Sequence, residues 1–332
     1  MVYGGVAWPH GAVSGCTNGK ANALMDKLLP DTVMFTKMTA GGNDFVCIDN
    51  TRGEYDALLK SPGLADVVRT LCRRGLCVGA DGVIVAGGQG SGQGIDIVAR
   101  FLEPDGSEAR LCGNGTACFA YWCLTEGLVR GPKVDILTAA GAAQACPNDD
   151  DCSRIRVCVP KPHSLRLGQR IRACSRSWTV HTIDTGVPHA VIFVRDVNTL
   201  DVGRCGAAIR HHEAFAAMGG VNANFTQILD VGRLRVRTFE FGVEAETLAC
   251  GTGSTAAAIV TAVSHQWPEA YTAGREPVLV EVRGEETLRI WFTVKPDGSV
   301  VDVCLETRAR AIYTGILRLE LVHELRCRLQ AL

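Results

Sequence analysis

The chain has 332 residues, 47% apolar and 21% charged, with a formal net charge of −1. That length can bury a large core and divides naturally into two domains. The near-neutral charge leaves no electrostatic footprint for nucleic acid or an anionic membrane, and no apolar run approaches the ~18 residues of a membrane span.

Residues 1–32 read as a loosely ordered leader, broken at Pro30-Asp31. Its first part, Met1 to Gly19, lacks the basic residues and apolar core of a secretory signal. Strand patterns follow at 33–38 and 45–49, turned by Gly41-Gly42, then a helix over 59–74 and a strand at 81–86. The Gly-rich run 87–94 lacks the spacing of a nucleotide-binding loop. Further strands are expected at 95–101, 134–138 and 155–159, with a crossover near 155–165. The scheme then repeats: strands at 179–184 and 190–194, a helix over 205–218, and strands at 224–229 and 234–239. More strands follow at 278–282, 288–294, 300–305 and 311–317, then a helical tail over 318–332. This reads as an α+β (α/β-type) fold of two pseudo-symmetric domains. Each wraps a mixed, curled sheet around one central helix, with the active site in the cleft between them. The first domain takes 33–158 plus 299–317, and the second takes 159–298.

Two segments carry the chemistry. Glu108-Ala-Arg-Leu-Cys112-Gly-Asn-Gly and Glu246-Thr-Leu-Ala-Cys250-Gly-Thr-Gly both read Glu-x-x-x-Cys-Gly-x-Gly, and each runs into a small-residue helical stretch. Upstream, Arg100-Phe-Leu-Glu103 echoes Arg237-Thr-Phe-Glu240. The repeat points to a duplicated domain with one special cysteine per half. A cysteine at the first turn of a helix meets free N–H groups and the positive dipole end, which favour the thiolate and lower its pKa. The glycines admit a ligand close to the backbone, and the same N–H groups can hold a carboxylate. Two such thiols facing each other can take a proton from one side of an α-carbon and return one to the other. That chemistry needs neither pyridoxal nor a metal, and no cofactor is expected. A single Cys–His nucleophile would have no use for the mirror copy. The chain's fifteen cysteines, odd in number and without an export signal, read as mostly reduced thiols of a cytoplasmic protein. They include no Cys-x-x-Cys pair, so no metal site is expected.

The ordered blocks from Phe35-Thr-Lys-Met to Glu246-Thr-Leu-Ala-Cys250-Gly-Thr-Gly253 resemble the diaminopimelate epimerase family. They include Gly42-Asn43-Asp44-Phe45, Gly79-Ala-Asp-Gly82, Pro188-His189-Ala190-Val191 and Val221-Asn222-Ala-Asn224-Phe225. The resemblance implies an isomerase of lysine biosynthesis that converts LL- to meso-diaminopimelate. It implies Cys112 and Cys250 as the acid/base pair, assisted by His189 and Glu240. Asn43, Gly113, Asn114, Gly251 and Thr252 would hold the reacting end of the amino acid, and a homodimer is implied. Three positions depart from the family pattern: Glu103 and Val187 stand where it has Asn, and Phe241 where it has Arg. By resemblance these three, with Asn222, line the pocket for the distal end. Losing a carboxylate-pairing Arg is not conservative. The alternative is therefore a racemase for another amino acid, basic or histidine-like; a more remote one is a non-catalytic amino-acid-binding protein.

Overall fold

The computed structural model describes residues 32–88, 94–109 and 112–318. The expected leader, the tip of the Gly-rich loop and all but the first residue of the expected tail lie outside them. Two mirrored halves are built from the same order of elements. The first contains β1 (Met34–Ala40), β2 (Asn43–Asp49), the short α1 (Asp56–Leu59), α2 (Leu64–Cys72), β3 (Gly82–Ala86), β4 (Ile97–Leu102), β5 (Glu108–Ala109), α3 (Gly113–Thr125), β6 (Val134–Thr138), β7 (Gly141–Pro147) and β8 (Arg154–Cys158). The second contains β9 (His163–Ala173), β10 (Arg176–Asp184), β11 (Pro188–Phe193), α4 (Val202–Arg210), β12 (Asn222–Asp230), β13 (Arg233–Glu240), β14 (Ala245–Glu246), α5 (Gly251–Ser264), the short α6 (Glu269–Thr272), β15 (Val278–Val282), β16 (Thr287–Val294) and β17 (Val300–Ile316).

The pairings repeat as closely as the order does. β2 and β3 are parallel, as are β11 and β12. β4 runs parallel to β6, and β13 to β15. Ala40 pairs with Asn43 across Gly41-Gly42, both at positive φ, a two-residue hairpin that glycine permits without strain. β17 is long and shared. Its first part pairs with β16 and β8, and its last part with β1. This closes the first sheet into a ring. In the second half β9 pairs with β10, and the strands curl from β9 through β10, β11, β12, β13, β15 and β16 to β17, with no pairing that joins β9 to β17 among the described residues.

Each curled sheet encloses a helix that is apolar on nearly every side, as an enclosed helix must be. Around α3 the core gathers Phe119, Trp122, Ile84, Phe101, Ile136 and Val157. Around α5 the small run Ala256–Ala258 lets the strands approach, and Ile259, Val280, Ile290 and Phe292 close the shell. α2 and α4 cover the outer faces with their own apolar layers. The expected α+β architecture is therefore the observed one.

The structure departs from expectation in detail. β7 and β9 form where no strand is expected. The expected helix over 205–218 is α4 followed by a separate 3₁₀ turn, 213–218. The two expected last strands are one. Cys158 and Cys304, opposite each other on β8 and β17, form a disulfide, while the other described cysteines are free apart from Cys77, which makes a contact of its own. Among the described residues no helix is long and apolar enough to cross a membrane, and no His, Cys, Asp or Glu cluster could hold a metal.

Phe119 is fully buried at the centre of α3. Phe119→Ala is expected to cost about 3–5 kcal/mol of stability, read as a lowered urea midpoint with an unchanged slope.

Candidate active site

The repeated residues in the sequence have a structural reason. Arg100 makes a bidentate pair with Glu108 (3.0 and 2.8 Å), and Arg237 makes the same pair with Glu246 (2.6 and 2.7 Å). Each fork ties β4 or β13 to the short strand just before a cysteine, fixing where the next helix begins. Cys112 and Cys250 are then the N-cap residues of α3 and α5, with matching backbone angles (φ −128°, ψ 116° and φ −127°, ψ 110°). The Gly115 N–H donates to Cys112 Sγ at 3.4 Å, and the Gly253 N–H to Cys250 Sγ at 3.3 Å. Thr252 Oγ1 lies 3.5 Å from Cys250 Sγ.

The two helices meet at these ends. Leu305 of β17 sits between them: a Cβ on Gly113 would meet its Cδ2 at 3.0 Å, and one on Gly251 at 2.7 Å. A side chain at either glycine would press on Leu305. The Asn114 Nδ2 donates to Asn43 Oδ1 at 2.8 Å, and Asn43 Nδ2 donates to Asp81 at 3.3 Å. Asn114 Oδ1 is buried without a partner among the described residues and faces Gly251. The Gly41 N–H donates to Glu286 at 2.8 Å, tying the β1–β2 turn to the second half. Thr185 Oγ1 donates to the Thr252 carbonyl at 3.0 Å, holding the β10–β11 turn over α5.

The electrostatics correct one expectation. The N–H groups do favour both thiolates, but burial outweighs them: Cys112 is pushed up to about 12, and Cys250 well above its ordinary value. Desolvation penalises a charge more than one N–H and a helix end can offset. Negative neighbours add to it, Glu103 and Glu240 against Cys112, and Glu240 against Cys250. Glu240 is itself raised by burial to about 7, lowered less by hydrogen bonds from Thr247 and the Cys250 thiol. His189 is fully buried, and burial lowers it to about 3, so its ring is neutral. Glu103 is raised by burial and then by Asp105 and Asp81.

Two of the three departures, Val187 and Phe241, lie on segments joined by Asn222. Asn222 donates to the Pro188 carbonyl (3.1 Å) and accepts from the Phe241 N–H (2.9 Å), so it ties the segments carrying Val187 and Phe241 together. Val187 and Phe241 are 40% and 48% exposed. The Arg210 guanidinium lies 3.9 Å from the Phe241 ring centre and is engaged by Glu244 at 3.2 Å. Sequence reasoning missed Leu305, Thr247, Thr185 and Glu286, which lie outside the repeated motif or are ordinary within it.

Mirrored halves that bring one N-cap thiol each to a common point define the racemase and epimerase fold. In structure the chain is similar to a probable proline racemase from Agrobacterium radiobacter K84 (TM-score 0.64, 15% identity, 85% of this chain and 92% of that one). It is also similar to a hydroxyproline epimerase from Agrobacterium vitis (TM-score 0.63, 16% identity, 87% and 93%). The family model described as Diaminopimelate epimerase matches residues 35–159 and 181–304, one block per half. Diaminopimelate epimerase of Aquifex aeolicus (strain VF5) is 37% identical over 269 residues, covering 78% of this chain and 90% of the relative. That of Chlorobaculum tepidum is 32% identical over 285 residues, covering 85% and 100%. The chain belongs to the diaminopimelate epimerase family and is an isomerase of the epimerase class.

Glu240 gives a pH prediction. Below about pH 7 it is protonated and cannot accept the Cys250 proton; above, it can. kcat/KM should rise through that pH, and Glu240→Gln should abolish the rise and lower the plateau. The folded state keeps a proton that the unfolded chain releases near 4.5, so Glu240 makes stability fall as pH climbs from about 4.5 to 7. Denaturation of Glu240→Gln across that window should show a smaller fall.

Proposed function

We propose that this chain inverts the α-carbon of an amino acid by passing protons between Cys112 and Cys250, with diaminopimelate, the compound that names its relatives, as substrate. The observation that carries the reading is the convergence of two N-cap thiols at helix ends that both pack against Leu305. The substrate α-carboxylate accepts from the N–H groups that begin α3 and α5, with the Asn43–Asn114 pair beside it. Cys250 gives its proton to Glu240 and becomes the base. Its sulfur takes the α-proton, and the C–H electron pair spreads into the bound carboxylate. The Cys112 thiol returns a proton to the opposite face and is left as thiolate, so the pair ends with its roles exchanged. In the reverse direction Cys112 starts as base. A charged base in a dry site is a strong one, so the high thiol pKa values favour abstraction once a thiolate has formed. His189 assists from behind α5. A cytoplasmic setting suits a site whose two thiols must stay unjoined.

A specific observation keeps a second reading open. At the side carrying Val187 and Phe241, the nearby Arg210 is already matched by Glu244. An exposed ring and Glu103 would suit an amino acid without a second carboxylate, basic or histidine-like.

In deuterium oxide the enzyme should place label at the substrate α-carbon. Cys112→Ala and Cys250→Ala should each lower inversion by about 10²–10⁴-fold, and a parental rate in either would end the two-thiol reading. A panel of LL-diaminopimelate, lysine, arginine and histidine, resolved by chiral chromatography, decides the substrate. Turnover of diaminopimelate alone retires the second reading, and turnover of a basic amino acid or histidine alone retires the first.

A further inference from the structure

The two halves can be overlaid by strand register, and one difference stands out beneath the cysteines. In the first half Phe45 pairs with Gly82, and Ile84 with Phe101. In the second, His189 pairs with Asn222, and Asn224 with Thr238. His189, Asn224 and Thr238 therefore occupy the places of Phe45, Ile84 and Phe101. The difference reaches the helices: a Cβ on Gly115 would touch the Phe101 ring, whereas one on Gly253 would run into Asn224 Oδ1. Replacing an apolar trio by a fully buried polar one is costly unless its groups are paired and used.

The pairing fixes hydrogens. Asn224 Nδ2 donates to the carbonyls of Ala190 (3.0 Å) and Asn222 (3.1 Å), and Asn224 Oδ1 accepts from Thr238 Oγ1 at 3.0 Å. Turning the amide over would set its oxygen against two carbonyl oxygens, so its orientation is settled by chemistry. The same NH₂ lies 3.1 Å from His189 Nδ1. Its two hydrogens are shared among these three acceptors, and an amide nitrogen accepts none, so a proton on Nδ1 would face only N–H groups; Nδ1 is therefore bare and the ring proton sits on Nε2. Nε2 is buried without a partner among the described residues.

We infer that Asn224, held by Thr238 and two backbone carbonyls, is a positioning residue that locks His189 as the neutral Nε2–H tautomer. This leaves one fixed N–H donor behind the first turn of α5. Such a donor steadies a thiolate without entering the proton exchange between sulfur and carbon. The catalytic consequence rests on the proposed role of His189, whereas the tautomer assignment does not.

Histidine-¹⁵N-labelled enzyme, examined by long-range ¹H–¹⁵N NMR from about pH 5 to 8, tests the inference. One ring, identified by its loss in His189→Gln, should show a protonated Nε2, a bare Nδ1 and no titration. Asn224→Leu should lower kcat by about tenfold or more and give His189 signals of mixed tautomers. Asn224→Ser, which keeps a hydroxyl donor, should recover part of both. A parental His189 protonated on Nδ1 overturns the inference without any variant. So does a folded Asn224→Leu enzyme with unchanged ring signals and kcat within about twofold of the parent. If the tautomer is as assigned but His189→Gln keeps full kcat, the proposed role of His189 fails and the Asn224 assignment stands.

Discussion

The whole arrangement depends on bringing two helix starts to one point inside a dry core. Each end carries unpaired N–H groups that burial must not strand. α3 and α5 meet this in part with their own cysteine caps. The spacing is set by one aliphatic side chain, Leu305, and by the lack of any at Gly113 and Gly251. The Arg–Glu forks, the mirrored turns over each helix and the Glu286 tie all serve that meeting point.

Burial at this point works against ionisation and for basicity. The same desolvation that keeps both thiols protonated at rest makes a thiolate, once formed, reactive toward a weak carbon acid. The two halves share the burden unequally. Glu240 touches Cys250 and Thr247, whereas its counterpart Glu103 acts on Cys112 only through space. The polar trio beneath α5 has no partner under α3. The duplicated scaffold is near-symmetric, and the machinery added to it is not.

Much of this was legible in the sequence. The cysteine repeat, the central helices and the alternating strands carry strong local signals, because each buries one face or all of it. β7 escaped because Gly141-Ala-Ala-Gln-Ala-Cys-Pro147 has none of the branched or aromatic residues that mark strands. β9 escaped because it is exposed along most of its length, and Gly168-Gln-Arg170 breaks its two short alternations, Leu165-Arg-Leu167 and Ile171-Arg-Ala173. Leu305 is one aliphatic residue among many, and only tertiary packing reveals what it separates. The thiol pKa was read with the wrong sign for the same reason: helix-end effects are local and visible in a motif, whereas desolvation belongs to the assembled core.

The long last strand also governs the order in which the molecule can be completed. The ring around α3 lacks a wall until residues 309–316 lie against β1, and those residues are among the last of the described chain to be synthesised. A nascent first half must therefore wait, its apolar helix only partly enclosed, until the whole second half and residues 309–316 have emerged from the ribosome. Such an exposed interval is where larger proteins tend to misassemble.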